Sequence, residues 1–152
     1  MGFYNDRILP RLIIKAMQSA ELIPYRQKLL SVAKGTVVEL GVGSGINIPL
    51  YPVTVNHFIG IDFHPWMVRN IEIDNRMRGK FEIQIADVAK IPIGNSIADF
   101  VISTFTLCSV FNLDSVMREA RRLLKSDGKF VFLEHGLSDS HKVQQWQNVL
   151  TP

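Results

Sequence analysis

Val37-Val38-Glu39-Leu40-Gly41-Val42-Gly43-Ser44-Gly45 reads as a β-strand running straight into a glycine-rich turn. Three alternate glycines let the backbone bend tightly and let a ligand lie against it with no Cβ in the way. A nucleotide-type cofactor is the natural occupant of such a turn at a strand end. The spacing is GxGxG: a dinucleotide fingerprint needs glycine where Ile46 stands, and no GxxxxGK[ST] supplies a lysine for a triphosphate.

Outward from this turn, β-rich runs alternate with helical or loop segments, the pattern of a parallel sheet built from βαβ units. The runs are Thr36 to Leu40, His57 to Asp62, Phe81 to Ala86, Asp99 to Thr104 and Phe130 to Glu134. Residues 112 to 125 place Val116, Ala120, Leu123 and Leu124 on one helical face behind an Asn112 or Asp114 cap. Pro65 can open a helix running to about Arg78, with Gly79 in the left-handed position after it. Pro49 and Pro52 keep any helix after Gly45 short, and residues 139 to 150 carry a last amphipathic pattern.

Each of the second and third runs ends in an acid. Gly60-Ile61-Asp62 places a carboxylate where it can accept both hydroxyls of a ribose, and Asp87, after Ala86, can accept an exocyclic adenine N–H between the apolar faces of Phe63 and Val88. Taken singly, either acid is equally well a solvated turn residue or a helix cap. At successive strand ends of one sheet they converge on one crevice. Glu39, just before the turn, is expected to be buried, so it needs a cation or donors beside it. S-adenosylmethionine brings an ammonium and a sulfonium, whereas NAD and ATP bring mainly negative phosphates that such an acid would repel.

With 152 residues, 47% of them hydrophobic and 20% charged, the chain has the size and composition of one globular domain rather than a disordered segment. A net charge of +3 is too small to argue for a nucleic-acid partner. The charge is uneven, because residues 1 to 36 carry Arg7, Arg11, Lys15, Arg26, Lys28 and Lys34 against Asp6 and Glu21. Within that basic segment, residues 8 to 23 form an amphipathic helix candidate with Ile8, Leu12, Ala16 and Met17 on one side. It suits a helix packed on the sheet edge, a lid over a pocket or a peripheral membrane contact. One cysteine, Cys108, and four scattered histidines lack metal-ligand spacing, so no metal is expected. The absence of an apolar membrane-spanning run and of any cysteine pair points to a cytoplasmic, at most membrane-peripheral, chain.

Together these residues resemble the class I S-adenosylmethionine-dependent methyltransferases, in particular the type 11 group. The resemblance rests on Val38 to Gly45 with Gly60-Ile61-Asp62, then Ala86-Asp87 and Ala98 to Ser103. The run Thr106 to Val110 and the ending Phe132-Leu133-Glu134-His135 look like a branch that includes methyltransferases of phospholipids, quinones and small thiols. It implies a doubly wound, Rossmann-like, mostly parallel α/β sheet of strand order 3-2-1-4-5, with residues 1–35 as a cap segment and 36–152 as the cofactor-binding core. The resemblance further implies that Glu39, Gly41 and Gly43 line the methionine part of the cofactor, Asp62 the ribose, and Asp87 with Val88 the adenine; Gly45 and Phe63 complete the expected cofactor-binding set. Thr104 and Phe105 would adjoin the methyl group.

Methyl transfer from a sulfonium needs alignment in a dry site more than a dedicated base, so no motif names a catalytic residue. Tyr4, Tyr51 and His135 are the polar candidates near the opening; a strand-end histidine satisfied by backbone groups is the plain alternative for His135, and Cys108 reads as a packed thiol. A small or lipid-like acceptor is expected. The resembled family continues into antiparallel C-terminal strands that are missing here, which predicts an exposed fifth strand, an incomplete acceptor pocket and a possible homodimer. The competing readings are a cofactor-binding module without turnover and, less well supported, an NAD-dependent oxidoreductase.

Overall fold

The computed structural model of the chain describes residues 19–69, 71–72 and 79–136. Helix α1 (Ile23–Leu30) leads into β1 (Gly35–Leu40), followed by β2 (Val55–Asp62), the one-turn helix α2 (Pro65–Val68), β3 (Phe81–Ile85), β4 (Ala98–Thr104), α3 (Leu113–Leu123) and β5 (Leu124–Leu133). The five strands form one parallel sheet in the order β3-β2-β1-β4-β5. This is the predicted doubly wound topology, with the chain reversing direction of growth between β1 and β4.

Strand alternation explains why both faces are covered. Val37 of β1, Phe58 of β2, and Phe100 and Ile102 of β4 join Leu30 and Ala33 near the end of α1 in one buried cluster. Val38, Leu40, Ile59, Ile61 and Val101 point the other way and pack with Val116, Ala120 and Leu123 of α3. Asn112 caps α3 as expected, its Oδ1 accepting from the Ser115 N–H at 3.0 Å.

Three expectations need correction. Residues 20–22 form turns, so the helix expected over 8 to 23 does not run through its last residues, and α1 begins at Ile23, where Pro24 suits the first turn. The predicted helix from Pro65 stops at Val68; its remainder includes residues 70 and 73–78, outside the described set, while Gly79 does take a positive φ of 78°. Strand β5 begins six residues before Phe130, because Leu124 pairs with Ala98 directly after α3 and the register resumes only at Phe100 with Lys129. Residues 1–18, with Tyr4, and the helix candidate over 139 to 150 also lie outside the described residues.

The loop before β4 is held by one arginine. Arg122 of α3 pairs one guanidinium edge with Glu119 (Nη2 at 2.6 and Nε at 2.8 Å) and donates to the carbonyls of Ile91 (2.9 Å) and Ile93 (2.8 Å). Its side chain is 29% exposed, which screens the ion pair, but its removal takes the Arg122 donor from the Ile93 carbonyl and leaves the Ile91 carbonyl with the Ile93 N–H alone. Arg122→Ala is expected to lower stability by about 1–2 kcal/mol, measurable as a lower urea midpoint at unchanged slope.

Candidate functional site

The alternation that builds the core also selects the site. Counting in steps of two from Val37, Phe58 and Ile102 places Glu39, Asp62 and Thr104 on the α1 face, each at or next to the carboxyl end of its strand. All three are buried, and all three line a cavity of about 900 Å³ at that end of the sheet. Open α/β sheets bind ligands at this edge, where strand order reverses.

Glu39 is 1% exposed and sits in a closed set of donors. Tyr51 donates its hydroxyl to Oε2 at 2.8 Å, and Asn47 donates Nδ2 to Oε1 at 2.6 Å. Arg26, itself buried on α1, donates Nη1 to Asn47 Oδ1 at 2.7 Å and to Thr104 Oγ1 at 3.1 Å. Burial pushes the Glu39 carboxyl up to about 7 against the opposing effects of these partners. Burial likewise lowers Arg26 and, with the Glu39 charge, raises Tyr51 well above the ordinary phenol range. The demand of Glu39 for donors is thus met largely by the chain itself. Two hydrogen bonds leave a carboxylate with further acceptor capacity.

Asp62 holds the glycine turn. Its Oδ2 accepts from the Gly43 N–H at 2.8 Å and its Oδ1 from the His64 N–H at 2.9 Å, so both oxygens are oriented and each keeps a lone pair. Gly41 and Gly43 take φ of 71° and 56°. A Cβ at Gly41 would run into the hydroxyl and methyl of Thr106. Gly41→Ala therefore combines a disfavoured φ with a clash against the segment leaving β4. It is expected to lower stability by about 2–4 kcal/mol, read from denaturant unfolding, and to abolish ligand binding.

Segment 105–107 is strapped to β5 by Glu134. The carboxylate Oε1 accepts from Ser103 Oγ (3.2 Å) and from the N–H groups of Thr106 and Leu107 (both 3.0 Å), while the Phe105 N–H donates to the Leu133 carbonyl at 2.8 Å. Under this strap Phe105 adopts φ 55°, a strained value for a bulky residue. Its ring lies 5.1 Å from the Arg26 guanidinium carbon and 4.5 Å, centre to centre, from the His135 ring.

The cavity brings together Glu39, Gly41, Gly43, Asp62, Phe63, Asp87, Val88, Thr104, Phe105 and His135. Gly45 is not at its wall: with φ 78° and Ile48 and Ile71 against the position of a Cβ, it serves the turn's packing. Asp87 is exposed and uses Oδ1 on the Ala89 N–H at 2.8 Å. Two candidates are corrected. Tyr51 is not a polar group near the opening but 4% exposed beneath Glu39, carried there by the Ile48–Leu50 3-10 turn. Cys108 is not a packed thiol: the 3-10 turn Leu107–Ser109 leaves it exposed at the cavity, with its acidity lowered by partial burial and the Glu134 charge. Sequence reasoning missed Arg26, Asn47 and the strap made by Glu134. For Asn47 a signal existed, since a buried Glu39 requires nearby donors; for Arg26 none did, because nothing local shows that α1 folds back over β1 and β4.

Comparison with known proteins gives the family. Residues 38–132 match the type 11 methyltransferase-domain model. The human thiol S-methyltransferase TMT1A is 28% identical over 98% of this chain and 60% of its own length. The ubiquinone/menaquinone biosynthesis C-methyltransferase UbiE of Citrifermentans bemidjiense is 29% identical over 66% of this chain and 45% of its own. This chain therefore spans about half the length of these relatives. A crystal structure from Methanococcus maripaludis, described as a candidate S-adenosyl-L-methionine-dependent methyltransferase, superposes with a TM-score of 0.72 at 19% identity, over 95% of this chain and 69% of that one, a likeness of fold. With a matched domain covering more than half its length and every strand in the expected order, this chain belongs to the type 11 methyltransferase-domain family.

Proposed function

We propose that the chain binds S-adenosylmethionine across the carboxyl ends of β2, β1 and β4 and transfers its methyl group to a small, lipophilic thiol. The observation that carries the cofactor reading is the pairing, in one cavity, of a buried carboxylate and a buried guanidinium, Glu39 and Arg26, beside a glycine turn and Asp62. A ligand with an ammonium and a carboxylate at one end and a ribose at the other matches that order of charges. Among the described residues Ser44 Oγ and His64 Nδ1, beside the same turn, have no hydrogen-bond partner, as expected where a polar ligand completes the site. An NAD-type ligand would set its phosphates against Glu39.

Bound there, the cofactor supplies an electrophilic methyl on a good leaving group. The chain's own residues orient it: Asp62 on the ribose hydroxyls, Asp87, Val88 and Phe63 around the base, Glu39 and Arg26 on the amino-acid end. Thr104 and Phe105 wall the end where an acceptor meets the methyl. Phe105 and Val110 give that end an apolar lining, with Phe111 fully exposed at its rim, and an apolar wall suits a transfer that needs a dry site. The thiol class is favoured over a quinone because the likeness to the thiol relative runs along 98% of the chain, including the flanking segments where acceptor choice lies, against 66% for the quinone relative.

The test is a panel of alkyl and aryl thiols, a benzoquinol and phosphatidylethanolamine, each incubated with methyl-labelled cofactor. Label in a thioether supports the reading. Label in the quinol or lipid alone replaces the thiol with that acceptor. Cofactor binding with no labelled product leaves a binding module.

A further inference from the structure

The proposed reaction releases a proton, and among the described residues one cavity group is placed to take it. Two of the ionisable groups at the wall, Asp62 and His64, stand at the end of β2. Two strand intervals separate β2 from β4, whose end carries Thr104 and Phe105 at the proposed methyl position, about 10 Å at the usual spacing. Asp87 follows β3, farther still. Glu39 is buried and held by Tyr51 and Asn47, and Arg26 has no free base form near neutrality. The thiol of Cys108 is a weaker acid than usual, hence a poor candidate to lose or shuttle a proton. That leaves His135, exposed at the end of β5, against the Phe105 ring that flanks the proposed methyl position.

We propose, resting on the thiol methyltransferase reading, that His135 is a catalytic residue that removes the acceptor's proton. In this step the S–H electron pair stays on sulfur as the proton passes to an imidazole nitrogen. The thiolate pair then forms the new S–CH3 bond, while the bond from the methyl carbon to the cofactor's sulfonium breaks with its electrons on that sulfur. The products are a thioether, neutral S-adenosylhomocysteine and a protonated His135, which returns its proton to solvent through its exposed edge. Among the described residues, the charged or ionisable groups at the imidazole's end of the cavity are Glu134, next to it in the chain, Cys108, which lines the same cavity, and Arg26, on the Phe105 ring. The Glu134 strap fixes both the Phe105 and His135 ends of this wall, so placement of the base follows from β5 register rather than from a flexible loop.

The experiment compares wild type with His135→Gln over thiols of graded acidity, at saturating S-adenosylmethionine. A base matters only where the acceptor is still protonated. For weakly acidic alkyl thiols, kcat/KM is expected to fall about 100-fold, with partial rescue by added imidazole, and for aryl thiols already ionised at the working pH it is expected to change little. Cofactor affinity and thermal midpoint stay as in wild type, since the side chain is exposed. The imidazole carbon resonance that is lost in His135→Gln is expected to shift in wild type when thioether product and S-adenosylhomocysteine are added. An equal loss across all thiols, or no shift of that resonance, overturns the assignment and leaves His135 a packing group. If wild type binds the cofactor and methylates no thiol, the underlying reading fails, and this role with it.

Discussion

Glu39→Gln is expected to weaken S-adenosylmethionine by roughly 10- to 150-fold at pH 8, the equivalent of about 1.5–3 kcal/mol for one charge-assisted contact to the cofactor's ammonium. The side chain keeps its shape, the Tyr51 hydroxyl can turn to accept from the amide N–H, and Asn47, held by Arg26, goes on donating to the amide oxygen, so the loss reports charge rather than collapse. The pH dependence is the sharper signature. Burial raises the Glu39 carboxyl to about 7, and a cationic ligand selects the ionised form. Below pH 7 each unit of acidification should therefore cost wild type about tenfold in affinity, while the Gln variant loses this dependence. Calorimetric titration between pH 5.5 and 8 measures both.

The same group acts oppositely on the unliganded fold. A carboxyl whose folded pKa lies above its unfolded value contributes stability that is fully present below the unfolded value, near 4, and is lost as pH rises through 7. Wild type should lose stability between pH 5 and 8, the Gln variant should not lose this component, and bound cofactor should restore part of it by neutralising the buried charge.

Asp62→Ala is expected to reduce cofactor affinity by more than the tenfold or so that a lost pair of ribose hydrogen bonds would give. The structure supplies the reason: Asp62 also accepts the N–H groups of Gly43 and His64, so its removal frees the turn that the cofactor lies against. Asp62→Asn separates the two effects. One amide oxygen can still hold the Gly43 N–H, so the turn should survive and the affinity should fall less than in Asp62→Ala, with both read by calorimetry at pH 8.

The features legible in the sequence are those set by local pattern. Five runs of alternating or continuous apolar residues and the turns between them gave the sheet, and Gly41, Asp62 and Asp87 mark its ligand edge because their spacing follows the strands. The misread features depend on contacts between distant parts of the chain. Leu124 joins β5 only because Ala98 is beside it, and four residues with a turn-forming Asp127-Gly128 conceal that pairing. Arg26 reaches Asn47 and Thr104 across 21 and 78 residues, a juxtaposition no window of sequence contains. Tyr51 is buried and Cys108 exposed, the reverse of what the sequence predicts, because short 3-10 turns, set by tertiary packing, decide which way each points.

A cavity built for a methyl donor between Glu39, Arg26 and Asp62 is tested by a calorimetric titration of the wild-type chain at pH 8 with S-adenosylmethionine and, separately, with NADH. The expected result is saturable one-to-one binding of S-adenosylmethionine and no binding of NADH. Saturable NADH binding with no heat from S-adenosylmethionine would contradict it.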